Sequence, residues 1–169
     1  MVSVNKKRQG KQPSLNYRPN VALVILNDKA EVLLGRRAGT QVWQLPQGGI
    51  EGDTLIEAAF KEAKEELGID RRSLIPIDVL DFVNTYNFKS PKNYGDSYYK
   101  GQTQRFVVFK YVGTGVSLAD ASSNELDAVK WVKLEEFPKH SDIIRQKSYE
   151  HVLLELQQKD IINRVREKA

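Results

Sequence analysis

The run Val21-Ala22-Leu23-Val24-Ile25-Leu26 is continuously apolar and rich in β-branched residues, which predicts a strand over residues 20–27 buried on both faces. Asn27-Asp28-Lys29-Ala30 reads as a turn, and residues 31–37 alternate well enough to return as the second strand of a hairpin. A glycine-containing loop then leads to Trp43-Gln44-Leu45-Pro46-Gln47-Gly48-Gly49, where Pro46 and the paired glycines are expected to end any strand. Over residues 54–67 the apolar positions Ile56, Phe60, Ala63 and Leu67 recur at helical spacing, so this segment is expected to be an amphipathic helix. Thr54 and Glu57 have capping-box spacing, Asp53 competes as the cap, and Gly68 is placed to end the helix.

Further strands are expected over residues 74–87, 102–112 and 128–134, with a long loop between the first two. From Asp142 onward, Ile143, Ile144, Tyr149, Val152, Leu153, Leu156 and Ile161 support a C-terminal helix with a break near Lys159-Asp160. No internal repeat or linker interrupts the chain. Helices and strands interleaved around one mixed sheet make an α/β sandwich the economical architecture.

At 169 residues the chain is expected to be one domain with a substantial core, and 40% hydrophobic with 28% charged residues excludes a disordered or fibrous chain. The absence of cysteine excludes disulfides and thiolate ligands, so any metal must be held by oxygen or imidazole. Met1 to Ser14 contain no apolar core and no stretch of about 18 apolar residues occurs, so a cytoplasmic protein with no membrane partner is expected. The net charge of +4 is uneven: Lys6, Lys7, Arg8, Lys11 and Arg18 precede any acidic residue, and the remainder is close to neutral. Residues 1–16 are therefore read as a basic, flexible arm ahead of a catalytic domain over 17–169. Such an arm either attracts polyphosphate or nucleic acid without sequence preference or is simply a solvated terminus.

Glu62, Glu65 and Glu66 lie at spacings of three and four, which puts three carboxylates on one helix face, opposite the apolar stripe. Part of the helix reads as ordinary surface, with Lys61 four residues after Glu57 and four before Glu65. Glu62 and Glu66, however, have no cation three or four residues away. The preceding loop, Gln47-Gly48-Gly49-Ile50-Glu51-Gly52-Asp53, has glycines that let backbone carbonyls approach a ligand. Carboxylates and carbonyls together suit Mg²⁺, which can bridge phosphate oxygens and activate water.

At these residues the sequence resembles the Nudix hydrolases. Lys61-Glu62-Ala63-Lys64-Glu65-Glu66-Leu67-Gly68-Ile69 matches the second half of the family's box, with lysine in place of the usual arginine. Only four residues separate Gly48 from Asp53, and Asp53 stands where glutamate is usual. The resemblance implies a Nudix α/β/α sandwich with a central mixed β-sheet. It also implies Mg²⁺, or alternatively Mn²⁺, held by Glu62, Glu65, Glu66 and the Gly48 carbonyl.

The likeness extends to Tyr17-Arg18-Pro19-Asn20-Val21, Arg36-Arg37, the Trp43 to Ile50 run and Gly101-Gln102-Thr103-Gln104. These segments are similar to bacterial RNA pyrophosphohydrolases and to their relatives that cut diadenosine tetraphosphate. The resemblance implies that Glu125 joins the metal set, and that Glu65 or Glu125 takes the proton from attacking water, with Glu62 in the same catalytic group. Arg18, Arg37, Gln47, Gln104 and Arg145 are the implied substrate contacts, guanidinium forks being suited to phosphate. A surface salt bridge is the competing account for Arg145.

The implied substrate is a nucleotide or the 5′-triphosphate end of an RNA, cut to a 5′-monophosphate, with no duplex DNA and a monomer as the default state. Two rival readings are a dinucleoside polyphosphate hydrolase and a non-catalytic nucleotide-binding regulator. Within residues 86–101, Tyr86, Phe88, Tyr94, Tyr98 and Tyr99 interleave with Lys89, Lys92 and Lys100. That pattern suits either base stacking or packing within a hairpin. His140 and His151 show no ligand spacing and are read as structural or surface residues.

Overall fold

The computed structural model describes residues 16–168, so the basic arm inferred for residues 1–16 lies almost wholly outside the described residues. Along the chain come strands β1 (Asn16–Leu26), β2 (Glu31–Arg37), β3 (Trp43–Gln44) and β4 (Gln47–Gly49), then helix α1 (Leu55–Leu67). Strands β5 (Leu74–Val79), β6 (Asn84–Tyr94), β7 (Ser97–Tyr111) and β8 (Leu126–Lys133) follow, and helices α2 (Ile143–Gln158) and α3 (Ile161–Glu167) close the fold.

The apolar run of β1 is buried on both faces because β1 is central. It pairs in parallel with β7 from Tyr17↔Gly101 to Leu26↔Lys110, and antiparallel with β2 and β4. The sheet path is β3-β2-β1-β7-β5, with β4 on β1, β6 on β7 and β8 on β2. Successive β1 side chains feed opposite layers, as pleating requires. Val21, Leu23 and Ile25 pack with Ala59, Ala63 and Leu67 of α1. Ala22, Val24 and Leu26 pack with Val152 and Leu156 of α2 and Val165 of α3. The result is the expected α/β/α sandwich around a mixed sheet.

Helix α1 is capped by Thr54, whose hydroxyl accepts from the Glu57 N–H at 3.3 Å, so Thr54 rather than Asp53 is the cap. Gly68 takes a left-handed conformation at φ 66°, and the Gly68 and Ile69 amides close the last turn on the Lys64 and Ala63 carbonyls. The expected Glu57–Lys61 and Lys61–Glu65 surface pairs do not form: Glu57 binds Arg71 through two bonds of 2.8 and 2.9 Å, and Lys61 faces a cleft. Helix α2 starts on Asp142, which accepts from the Arg145 N–H, and the expected break falls at Lys159-Asp160.

Three expectations need correction. The segment from Trp43 to Gly49 is not strand-free, because β3 pairs with β2 before the Pro46 interruption and β4 pairs with β1 after it. Residues 86–101 are not an open loop: β6 and β7 extend past the sheet as a hairpin that turns at Gly95, whose φ is 67°. The hairpin shows no clean alternation because both of its faces are largely exposed, so nothing selects a buried face. The strand expected over 74–87 is split into β5 and β6, with the fully buried Leu80 at the break.

Candidate active site

One cleft of about 760 Å³ opens between α1, β4, the β6–β7 hairpin, the loop before β8 and the start of α2. Its floor is β4, laid down by the pairs Asn20↔Gly49, Val21↔Gly48 and Ala22↔Gln47. The chain leading into β4 is pinned twice, by the Leu23 N–H on the Pro46 carbonyl and by the Leu45 N–H on the buried Tyr149 hydroxyl, each at 2.8 Å.

Both glycines of the floor are required by their neighbours. A Cβ on Gly48 would stand 1.9 Å from the Glu62 carboxyl carbon, and one on Gly49 would stand 2.2 Å from an Arg18 guanidinium nitrogen. The backbone thus approaches an acid on one side and a base on the other.

The wall contributed by α1 is acidic. Glu62, Glu65 and Glu66 line it, and Glu125 joins them from the loop before β8. That loop is tied to α1 by the Ser123 N–H on the Glu65 carbonyl at 2.9 Å, and Ser123 Oγ accepts from the Glu125 N–H at 3.1 Å. Glu66 is only 2% exposed, and its Oε2 accepts from the Gln47 N–H at 3.2 Å. Burial, a hydrogen bond with Glu125 and the charges of Glu125 and Glu62 push its carboxyl up to about 10. Burial, then Glu65 and Glu125, push Glu62 up to about 7.

Among the described residues no three acidic or imidazole groups form a ready-made coordination cage; the carboxylates line an open wall. Buried like charges that hold one another protonated are nevertheless the donor set that a divalent cation would discharge. The Gly48 backbone comes close to the Glu62 carboxyl within this group. The residues present fit a hard, oxygen-ligated ion.

The opposite wall is basic. Arg18, Arg37 and Arg145 all line the cleft, as do Lys61 and Lys92. Arg18 lies over the Tyr94 ring at 3.9 Å. Arg145 also makes the expected local ion pair, to Asp142 at 2.6 Å, so it is both bridged and facing the cleft. Of the remaining sequence candidates, Gln47 faces the cleft while Gln104 stands behind it. Gln104 donates to Asn20 Oδ1 at 2.8 Å and to Gln47 Oε1, and so orients both.

Sequence reasoning gave no role to Gln44 or Gln102, both buried and both lining the cleft. Both lie within the Trp43 to Ile50 and Gly101 to Gln104 runs, but nothing in the sequence marks the direction of either side chain. His151 stacks on Phe82 at 5.1 Å, in keeping with a structural role.

An acidic wall, a glycine floor and a basic wall within one cleft can hold an anionic chain between a cation and guanidinium forks and present water to it. Comparison with known proteins agrees with this chemistry. The chain matches the NUDIX domain over residues 16–152. It is 31% identical over 149 residues to an RNA pyrophosphohydrolase of Legionella pneumophila, covering 83% of each chain. It is 32% identical over 152 residues to one of Rickettsia conorii, covering 87% of this chain and 94% of the other. Among solved structures, a C. elegans Ap4A hydrolase superposes with a TM-score of 0.65 at 23% identity over 85% of this chain and 98% of its own. The E. coli dihydroneopterin triphosphate pyrophosphohydrolase gives 0.64 at 21% identity, covering 82% and 98%. At those identities the structures speak for the fold. Among the described residues no helix is long and apolar enough to cross a membrane.

Proposed function

The chain belongs to the NUDIX domain family and is a hydrolase of that family, and from that premise we propose that it is a Mg²⁺-dependent pyrophosphohydrolase of RNA 5′ ends. It converts a 5′-triphosphate end to a 5′-monophosphate. The observation that carries this reading is a cleft whose lining brings Glu62, Glu65, Glu66 and Glu125 together with Arg18, Arg37 and Arg145. The RNA pyrophosphohydrolases that resemble the chain over more than four-fifths of its length support the choice of substrate.

Glu62, Glu65, Glu66, Glu125 and the Gly48 carbonyl would hold Mg²⁺ or Mn²⁺, which when bound neutralises phosphate charge and makes a water more acidic. Arg18, Arg37 and Arg145 grip phosphate oxygens from the other wall and orient the chain for in-line attack. A carboxylate oxygen of Glu65 or Glu125 accepts the proton of the attacking water. Gln104 fixes Gln47, whose own N–H holds Glu66 in place.

A dinucleoside polyphosphate is the second substrate class. Phe88 and Tyr94 favour it as aromatic residues lining the cleft, beside which a further base can pack. Initial rates on triphosphate-ended RNA and on diadenosine tetraphosphate, each with and without Mg²⁺, test the reading. Mg²⁺-dependent release of monophosphate-ended RNA at the higher kcat/KM is expected. Preference for the dinucleotide would transfer the assignment to it, and no product from either would end the hydrolase reading of this cleft.

A further inference from the structure

The β6–β7 hairpin has a second face, turned away from the cleft. Arg18 and Gln102 line the cleft as partners in the β1–β7 register, so the adjacent row, Tyr17 beside Gly101, points the other way. The register passes from Asn16↔Tyr99 to Tyr17↔Gly101 and leaves Lys100 as the extra residue of a β-bulge. A bulge re-aims a side chain, and Lys100 accordingly joins the Tyr17 side, its ammonium 4.7 Å from the centre of that ring. Tyr99 packs against Tyr94 of the cleft, so alternation sends Tyr98 to the far side, where it is 59% exposed. Farther along β7, Thr103 and the exposed Arg105 alternate with the buried Gln102 and Gln104 and share this second face.

The hairpin is basic as well as aromatic. From Val83 to Arg105 the chain holds Lys89, Lys92, Lys100 and Arg105 against Asp96 alone. Among the described residues none of those four cations is bridged to an acid. Just ahead of β1 the sequence adds Lys6, Lys7, Arg8 and Lys11, again with no acid. Unpaired cations beside exposed rings on a strand surface suit single-stranded nucleic acid, whose phosphates take the charge while its bases stack. The route from the cleft is short. β7 is the only strand paired with β6, and β6 also supplies Phe88, Lys92 and Tyr94 to the cleft lining.

On the reading that the cleft takes an RNA 5′ end, we propose that this far face is a second RNA contact. It holds the single strand downstream of the nucleotides seated in the cleft, after the chain has crossed the open edge of β6. Lys100 and Arg105 meet phosphates, and Tyr98 offers a stacking surface with no preference for one base. The contact therefore selects a polymer over a free nucleotide without reading its sequence.

Fluorescence anisotropy of the full chain with a single-stranded RNA of about 12 nucleotides ending in a 5′-hydroxyl reads this face without a terminal phosphate chain. Lys100→Ala/Arg105→Ala should weaken binding roughly tenfold and lower the slope of log K against log salt by about 1.4, two contacts at about 0.7 each. Tyr98→Ala should weaken it at least about fivefold, with the melting temperature unchanged in both variants. On triphosphate-ended substrates both variants should raise KM for the longer RNA and leave a trinucleotide unaffected. An equal rise on the two lengths would place the effect in the cleft and overturn the proposal. Polyglutamate bound as tightly as RNA, with Tyr98→Ala neutral toward both, would make this a general polyanion surface and overturn it too. A wild-type protein that binds the hydroxyl-ended RNA through these residues yet cuts no triphosphate end would sink the RNA hydrolase reading and uphold the contact. Mg²⁺-dependent cutting that ignores both RNA length and the substitutions would do the reverse.

Discussion

The Gly48 backbone and the Glu62 carboxyl are packed so closely that any side chain at residue 48 would occupy the carboxyl's position, the built Cβ falling 1.9 Å from its carbon. Gly48 is in β4 and paired to Val21, so the strand cannot yield without unpairing from the central strand. The flexible partner must move instead. Gly48→Ala should therefore swing Glu62 out of the acidic wall. Turnover is expected to drop roughly 100-fold, equivalent to ~2.7 kcal/mol of transition-state stabilisation, and the Mg²⁺ concentration for half-maximal rate should rise. An alanine variant with wild-type metal dependence would show that Glu62 is not a ligand.

Glu66 is both the most buried acid of the site and the one most disfavoured as a charge. In Glu66→Gln the Gln47 N–H still finds a side-chain oxygen, and a neutral amide replaces a carboxyl that burial and the neighbouring acids already keep protonated in the absence of a cation. Without divalent cation the variant should melt at or above the wild-type temperature. Wild type should gain stability from Mg²⁺, about 2.7 kcal/mol at a hundredfold excess over Kd, and the variant should gain much less. Scanning calorimetry with and without Mg²⁺ checks both signs, and an equal gain in the two proteins would remove Glu66 from the ligand set.

Much of this site was legible in the sequence because its parts are local. Glu62, Glu65 and Glu66 share a helix face by spacing alone, and Gly48 precedes that helix by a short loop. The β1 core was legible for a similar reason, since an unbroken apolar run admits no solvent-facing side. Glu125 and the three arginines come from separate elements, and only the resemblance to a family drew them together. The segment over residues 84–101 reads as a loop with hairpin packing only an alternative, because exposed strands lack the alternation that burial imposes, and Pro91 weakens the signal further.

Away from the cleft, Glu155 of α2 accepts from the Asp81 and Phe82 amides at 2.7 and 2.8 Å, and Asp78 accepts from Arg164 at 2.8 Å, with Lys159 bridging both acids. Burial alone would raise these carboxyls, but the hydrogen bonds and cations hold both below their ordinary values. A depressed folded-state pKa stabilises the fold above the unfolded value and ceases to do so as pH falls through the folded one. The contribution of these two acids to the melting temperature should thus be constant near neutrality and decline once pH drops below the ordinary carboxylate range. Glu155→Ala leaves two amides without their acceptor and should cost about 1–3 kcal/mol, with a shallower acid decline than wild type. Equal slopes in the two proteins would assign the acid sensitivity to other groups.

Arg18 depends on Gly49 as Glu62 depends on Gly48. A Cβ on Gly49 would lie 2.2 Å from an Arg18 guanidinium nitrogen, while the far side of that guanidinium is taken by the Tyr94 ring at 3.9 Å. The fork is held between backbone and ring, so a small intrusion misdirects it. Gly49→Ala should therefore raise KM on a triphosphate substrate about as much as Arg18→Ala does, roughly tenfold for a lost charge-assisted hydrogen bond. Arg18→Lys should recover little, because an ammonium keeps the charge but not the fork. If both single changes act on one contact, the Gly49→Ala/Arg18→Ala pair should be hardly worse than either alone. Full additivity in that cycle, read from kcat/KM at fixed salt, would mean that Gly49 serves the site by some route other than making room for Arg18.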